Sequence, residues 1–453
     1  MLYSPSGRVA GGGFSQVAGA FKAEIGSDIR FCHAAAKVEG HDVFTHHLMQ
    51  YAPTNQPNCK NEAISPSRVN QDALLWSVTY AVNRVLSRST DLRADLCGYD
   101  AIDRWARHVS IRRPTSPSTL ESQAYHFVLP DLVSDCTYPL RVNDNCEEVA
   151  RVSEQWLLDA ANHSERKRRA FLGLKAGELT AACYPDADAF HLRVCVDFMN
   201  YLFNLDDWLD EFDVEGTRGM HDCCIGAMRD PLNFETDKRA GIMTKSFFSR
   251  FIQTGGPGCT ERFIHTMDLF FKAVAIQAAD REKDVIPDFE SYITIRRDTS
   301  GCKPCFALIE YASRIDLPDE VAEHPLIRSM EEATNDLVTW SNDLFSYNVE
   351  QSRGDTHNMI PVIMHQRGLN LQEAVEYVGA LCKSSIQRFE TDRKNLPTWG
   401  PEIDRDVAVY VEGLQNWIVG SLHWSFDSER YFGTSGHEVK QQRLVKLLPK
   451  VLS

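Results

Sequence analysis

VCVDFMNYLFNLDDWLDEFD, residues 194–213, reads as one helix that is mostly apolar at first and then turns abruptly acidic at Asp206, Asp207, Asp210, Glu211 and Asp213. Asp206 and Asp210 are four residues apart, so they share a helical face about one turn apart. Like charges at that spacing repel, and a cation between them would relieve the repulsion. Carboxylate oxygens are hard ligands of the kind magnesium takes. One and two turns deeper on the Asp206 face stand Phe203 and Met199, which places an apolar wall beneath a metal rim. A plain acidic helix end facing solvent is the competing reading of this segment taken alone.

Working outward, the pattern from about Tyr125 onward is dense and helical. Apolar spacing predicts helices over roughly 146–161, 164–182, 186–212, 260–280, 304–313, 326–351, 371–393 and 404–426. Strand-type alternation is scarce, no hairpin signal stands out, and no internal repeat is visible. The expected class is all-α, with helices that are apolar on wide faces, such as 190–203, in the interior. Residues 1–124 differ: they carry the glycine run Gly11 to Gly13 and the turn-rich stretches APTNQPNCKNEAISPSR and RPTSPSTLES. Between these lies one amphipathic candidate helix, about Ala73 to Leu86. The expected division is an extension of unassigned fold over 1–124 and a helical domain over 125–453.

Composition narrows the function. With 48 Lys plus Arg against 63 Asp plus Glu, the 453-residue chain has a formal charge of −15, which argues against phosphate-tracking nucleic-acid binding. A small anionic substrate stays compatible, held by a local basic cluster or by metal ions. Apolar runs fall well short of the ~20 residues that span a bilayer. The start, MLYSPSGRVAGGGF, lacks the charged and apolar regions of a secretory signal. The 13 cysteines are then expected to be reduced thiols in a cytoplasmic protein. CKPC, Cys302 to Cys305, has neither the βαβ context of a redox motif nor a second ligand pair for zinc.

A second segment, NDLVTWSNDLFSYNVEQSRGD, sets Asn342, Ser346 and Glu350 at i, i+4 and i+8, on one helical face over ~12 Å of rise. They offer an amide oxygen, a hydroxyl and a carboxylate, three oxygen donors suited to one hard cation. The pairing of DDWLD with NDLFSYNVE, 136 residues later, resembles the class I terpene synthases. The resemblance covers about 125–450, and the wording, with FVLPDL near its start, is closest to fungal sesquiterpene synthases of the basidiomycete type. Two further motifs fit it: RRDTSG, Arg296 to Gly301, and HWSFDSERYF with Arg430 and Tyr431 eighty residues after Glu350.

The resemblance implies a helical bundle around a central apolar pocket and a lyase that ionises farnesyl diphosphate, cyclises the carbocation and releases diphosphate. It implies three magnesium ions. Two belong to Asp206 and its neighbours, with Asp210 acting directly or through water, and one to Asn342, Ser346 and Glu350. Arg297, Arg430 and Tyr431 would grip the diphosphate. Counting back from Gly301 selects Arg297 as sensor and Ser300 as linker, whereas counting from the triad selects Arg296. Gly301 would turn its carbonyl dipole toward the cation at a helix break that Gly301 and Pro304 supply. Met199, Phe203 and Trp424 are the expected pocket walls, aromatic faces being able to stabilise a cation. Where the family often has a basic residue just before the triad's glutamate, this chain has Val349, which shifts attention to Arg353. The rival readings are a chain-elongating prenyltransferase of the same fold, which would need a second Asp-rich motif where the triad stands, and a non-catalytic isoprenoid-diphosphate binder. A monomer or a homodimer is expected, with no nucleic-acid partner and no transmembrane segment.

Overall fold

The computed structural model describes residues 126–161, 163–209, 212–282 and 286–450, together with strand residues between 31 and 49. The candidate helix at 73–86 and the side chain of Asp210 lie outside the described residues. The chain divides into two units, Met1–Pro114 and Thr115–Ser453. In the first, β1 (Phe31–Ala34) pairs antiparallel with β4 (His46–Met49), and β2 (Lys37–Val38) with β3 (His41–Asp42). The sequence pattern gave no sign of these strands, which carry little apolar alternation.

The second unit is an α-helical bundle. It opens on β5 (His126–Val128) and α1 (Leu132–Asp135), followed by α2 (Cys146–Ala161), α3 (Glu165–Leu174), α4 (Ala176–Cys183), α5 (Ala189–Leu209) and α6 (Val214–Arg229). Next come α7 (Arg239–Phe251), α8 (Pro257–Glu282), α9 (Phe289–Thr299), α10 (Cys302–Ser313) and α11 (Asp319–Ala322). The C-terminal half is α12 (Pro325–Arg353), α13 (Met359–Arg367), α14 (Leu371–Lys394), α15 (Pro401–Asp427), α16 (Gly436–Gln442) and β6 (Leu444–Lys446). β5 and β6 pair antiparallel, Phe127 opposite Val445, and close the two ends of the unit on each other. No helix among the described residues is long and apolar enough to cross a membrane.

The all-α expectation holds, and two departures have physical reasons. The predicted 164–182 helix is two helices, because Lys175 adopts a left-handed conformation at φ 55°. The Trp424 indole N–H supports the carbonyls at this break, donating to Leu174 O at 2.8 Å and to Lys175 O at 3.0 Å, the latter also accepting from Leu179 N at 3.2 Å. That donor lies about 250 residues away in sequence, so local pattern could not reveal it. Helix α6 was not predicted because its three glycines weaken the helical signal. Gly226 is there for space: a Cβ would meet the Phe234 ring at 2.5 Å.

An aromatic cluster joins α5, α7, α8 and α10. Phe198, Phe247, Phe248, Phe251 and Phe263 are fully buried against one another, and Phe251 stacks on Tyr311 with centroids 4.3 Å apart. Such rings typically cost roughly 3–5 kcal/mol each when truncated to alanine. On the opposite side α12 packs along α14 and α15.

A half-buried acid on α12 makes stability depend on pH. Burial pushes the Glu331 carboxyl up to about 7 from 4.5, and the hydrogen bond donated by Tyr410 Oη at 2.5 Å only partly draws it back. An acid with a raised folded pKa contributes stability that is fully present below its unfolded pKa and is lost as pH rises through the folded value. Glu331→Gln keeps the Tyr410 acceptor and removes the charge. It should leave urea-unfolding stability near wild type at pH 5 and raise it by roughly 1–3 kcal/mol at pH 8. An equal change at both pH values would contradict this.

Candidate active site

Helices α4, α5, α8, α9, α10, α12 and α15 surround one cavity of about 210 Å³. Its charged rim and its apolar depth come from different elements. Asp206, at the C-terminal end of α5, is half-buried at the mouth, with Phe203 and Met199 below it on the same helix. Across the cavity α12 contributes Asn342 and Glu350, and the segment after α15 contributes Arg430 and Tyr431. Leu179, Leu202, Phe270, Val274 and Trp417 line the depth.

The rim residues are tied together by a continuous set of contacts. Asn342 Nδ2 donates to Tyr431 Oη at 2.6 Å, while its Oδ1 accepts from an Arg296 guanidinium N–H at 2.8 Å. Arg296 also donates to Asp343 Oδ1 at 3.0 and 3.1 Å, and Tyr292 Oη donates to Asp343 Oδ2 at 2.5 Å. Burial works against the Arg296 charge, but Asp343, Tyr292 and Glu350 together outweigh it and hold the guanidinium's pKa above the usual arginine value. Arg430 stands over the Phe203 ring at 5.2 Å and over the Tyr431 ring at 5.7 Å. Its charge is also coupled to Asp206 and Asp207. On α12, Ser346 is buried and Glu350 is largely so. Burial pushes the Glu350 carboxyl up to about 7, the Asp343 charge adding to the effect and a hydrogen bond from Asn358 opposing it.

The two adjacent arginines face different ways. Arg296 lines the cavity, whereas Arg297 is not among the lining residues. Arg297 makes a two-pronged contact to the buried Asp336, at 2.7 and 2.8 Å, and Arg388 shares that carboxylate. Of the expected walls, Met199 and Trp424 are buried, and Phe203 stacks on Trp424 with centroids 5.7 Å apart. Tyr431 meets Trp424 edge-on at 5.9 Å.

Gly301 sits at the break between α9 and α10, with φ 70° and ψ 3°. Ser300 Oγ braces the break by accepting from Cys302 N at 3.1 Å and lying 3.0 Å from Asn335 Oδ1. A Cβ at Gly301 would meet Leu202 Cδ2 at 2.9 Å. Gly301→Ala should therefore lower unfolding free energy by roughly 1–2 kcal/mol through left-handed backbone strain alone. A urea midpoint equal to wild type would show that no such strain is carried. The CKPC cysteines open α10 as free thiols, and both line the cavity. Burial pushes the Cys302 thiol up to about 11, which leaves it neutral near pH 7.

Several lining residues were not anticipated from sequence. Asp343 holds Arg296 and is itself held from behind by Tyr292, which is not a lining residue, and Thr299, Asp355 and His357 lie on the cavity wall. The NDLFS context marked Asp343 as a neighbour of the triad, but nothing in the sequence linked it to an arginine 47 residues earlier. Arg353 is exposed at the end of α12 and is not among the lining residues.

Donor chemistry fits a hard divalent cation. The Asn342 amide and the Glu350 carboxyl of α12 line the cavity together with the Asp206 carboxylate, while the Ser346 hydroxyl, between them on the same helix, is buried and is not among the lining residues. Among the described residues no group of three or more His, Cys, Asp and Glu forms a metal site by itself.

Comparisons with known proteins agree with this geometry. Residues 197–388 match the family described as Terpene synthase family 2, C-terminal metal binding. Sesquiterpene synthase 1 of Postia placenta is 57% identical over 336 residues, covering 74% of this chain and 98% of that protein. Alpha-muurolene synthase of Coprinopsis cinerea is 51% identical, covering 74% of this chain and 81% of that protein. A solved linalool/nerolidol synthase of Streptomyces clavuligerus, in complex with 2-fluorogeranyl diphosphate, superposes with a TM-score of 0.59 at 21% identity. That superposition covers 65% of this chain and 99% of the other, and it establishes the shared fold. With its helical bundle, its metal-binding region and relatives matched over nearly their whole length, this chain belongs to the class I terpene synthase family, alongside the fungal sesquiterpene synthases.

Proposed function

We propose that this chain is a magnesium-dependent sesquiterpene synthase that ionises farnesyl diphosphate, cyclises the resulting carbocation and releases diphosphate. The observation that carries the reading is the division of one cavity into a charged rim and an apolar, aromatic depth. Asn342, Ser346 and Glu350 would hold one ion, and Asp206 with Asp210 would hold two. Bound magnesium supplies positive charge against the charge that develops on the departing diphosphate.

The chain's own groups do the rest. Arg430 and Tyr431 present donors to the diphosphate oxygens. We assign the sensor role to Arg296, because it reaches the cavity through Asn342 while Arg297 is engaged with Asp336. A guanidinium fork suits this work because it binds phosphate oxygens two at a time. Gly301 would offer its carbonyl dipole to the cation at the α9–α10 break. The faces of Phe203 and Trp424 would stabilise migrating positive charge, and Met199 adds a polarizable apolar surface. The neutral Cys302 thiol presents no thiolate to capture the cation. A cytoplasmic monomer or homodimer completes the reading.

The test is to incubate the full chain with magnesium and, separately, ten-, fifteen- and twenty-carbon prenyl diphosphates, and to analyse the extracts by gas chromatography–mass spectrometry. A cyclic fifteen-carbon hydrocarbon or alcohol is expected. Linear chain-elongated diphosphates, or no product from any substrate, would sink the reading.

A further inference from the structure

Asn358 immediately precedes α13 and is 1% exposed. The two ends of its side-chain amide do different work. Oδ1 accepts from Ile360 N at 2.8 Å and caps α13. Nδ2 donates to Glu350 Oε2 at 2.8 Å and to the Asp343 carbonyl oxygen at 2.8 Å, and lies 3.4 Å from Ser346 Oγ. The amide fits in one orientation only: turned over, its oxygen would face a carboxylate and a carbonyl, and its NH2 would face the Ile360 N–H.

Capping alone leaves the residue choice open, since Asn, Asp and Ser cap about equally well. Asn alone of these brings an NH2 donor. Asp would set a second carboxylate against Glu350, and the shorter Ser hydroxyl cannot cap α13 and span to α12 together. We infer that Asn358 is a positioning residue that sets the Ser346 and Glu350 side chains in register as metal ligands and links that register to the start of α13. Groups that hydrogen-bond to metal ligands fix the ligands' orientation, and their loss typically weakens metal affinity about 10- to 100-fold. This inference rests on the proposed metal role of the Asn342, Ser346 and Glu350 triad.

Thermal unfolding of the full chain, with magnesium titrated at fixed inorganic diphosphate, tests it without turnover. In wild type, the melting temperature should rise with magnesium. Asn358→Ser and Asn358→Thr both keep a neutral cap and remove the amide donor. Either variant that folds should melt somewhat below wild type without ligand, since two buried acceptors lose their donor, and, measured against its own ligand-free melting temperature, should need about tenfold or more magnesium for the half-maximal shift. A folded variant with the wild-type magnesium midpoint would overturn the inference while leaving the metal reading intact. A wild-type chain indifferent to magnesium and diphosphate together would overturn the metal reading, and the inference with it.

Discussion

Asp206→Asn should lower magnesium-dependent diphosphate release from farnesyl diphosphate by about 10²–10³-fold, the loss typical when one group that stabilises developing charge is removed. The change deletes a formal charge at the cavity mouth and keeps the side chain's size and shape. Asp206 is only half-buried at a helix end, so the fold should be little affected, and surface changes of this kind usually stay within about 0.5 kcal/mol. The defect should appear with the melting temperature nearly unchanged, and added magnesium should recover part of the rate. A variant releasing diphosphate at the wild-type rate would remove Asp206 from the metal set.

The second large effect separates neighbours. Arg296→Lys should cut diphosphate release by about 10²-fold, because an ammonium cannot reproduce the planar fork that reaches Asn342 and Asp343 together. Arg297→Lys should change turnover by less than about threefold, since Arg297 works as a brace on buried Asp336. Its cost should appear in unfolding, at roughly 1–3 kcal/mol, with Arg388 still holding part of the carboxylate. Turnover and urea unfolding measured side by side decide the matter. If Arg297→Lys proves the slow enzyme and Arg296→Lys the active one, the assignments must be exchanged.

That pair also marks the limit of what the sequence could say. Long apolar faces made α2, α5, α12, α14 and α15 readable, because burial dictates their periodicity. The oxygen donors of α12 were readable because i, i+4, i+8 spacing is itself a geometric statement. Adjacent residues on a helix point about 100° apart, so motif counting that was uncertain by one position could not choose between Arg296 and Arg297. The choice depends on how α9 is rotated against α12, which Asp336 and Asp343 fix from another helix. Asn358 escaped for a related reason. It lies in a turn, where no periodicity marks it, and its partners become neighbours only when α13 folds back along α12.

Trp424 offers a consequence for redirecting the product. Its ring forms part of the cavity wall, and its indole N–H donates to the Leu174 and Lys175 carbonyls where α3 gives way to α4. Any replacement meant to reshape the cavity there also takes the indole donor from the Leu174 carbonyl, while Lys175 O keeps the Leu179 N–H, so a shift in product and a loss of stability would arrive together. Met199 and Leu202 line the same space without anchoring a helix junction. A library seeking altered cyclisation would keep more of its members folded by varying those two positions and leaving the tryptophan in place.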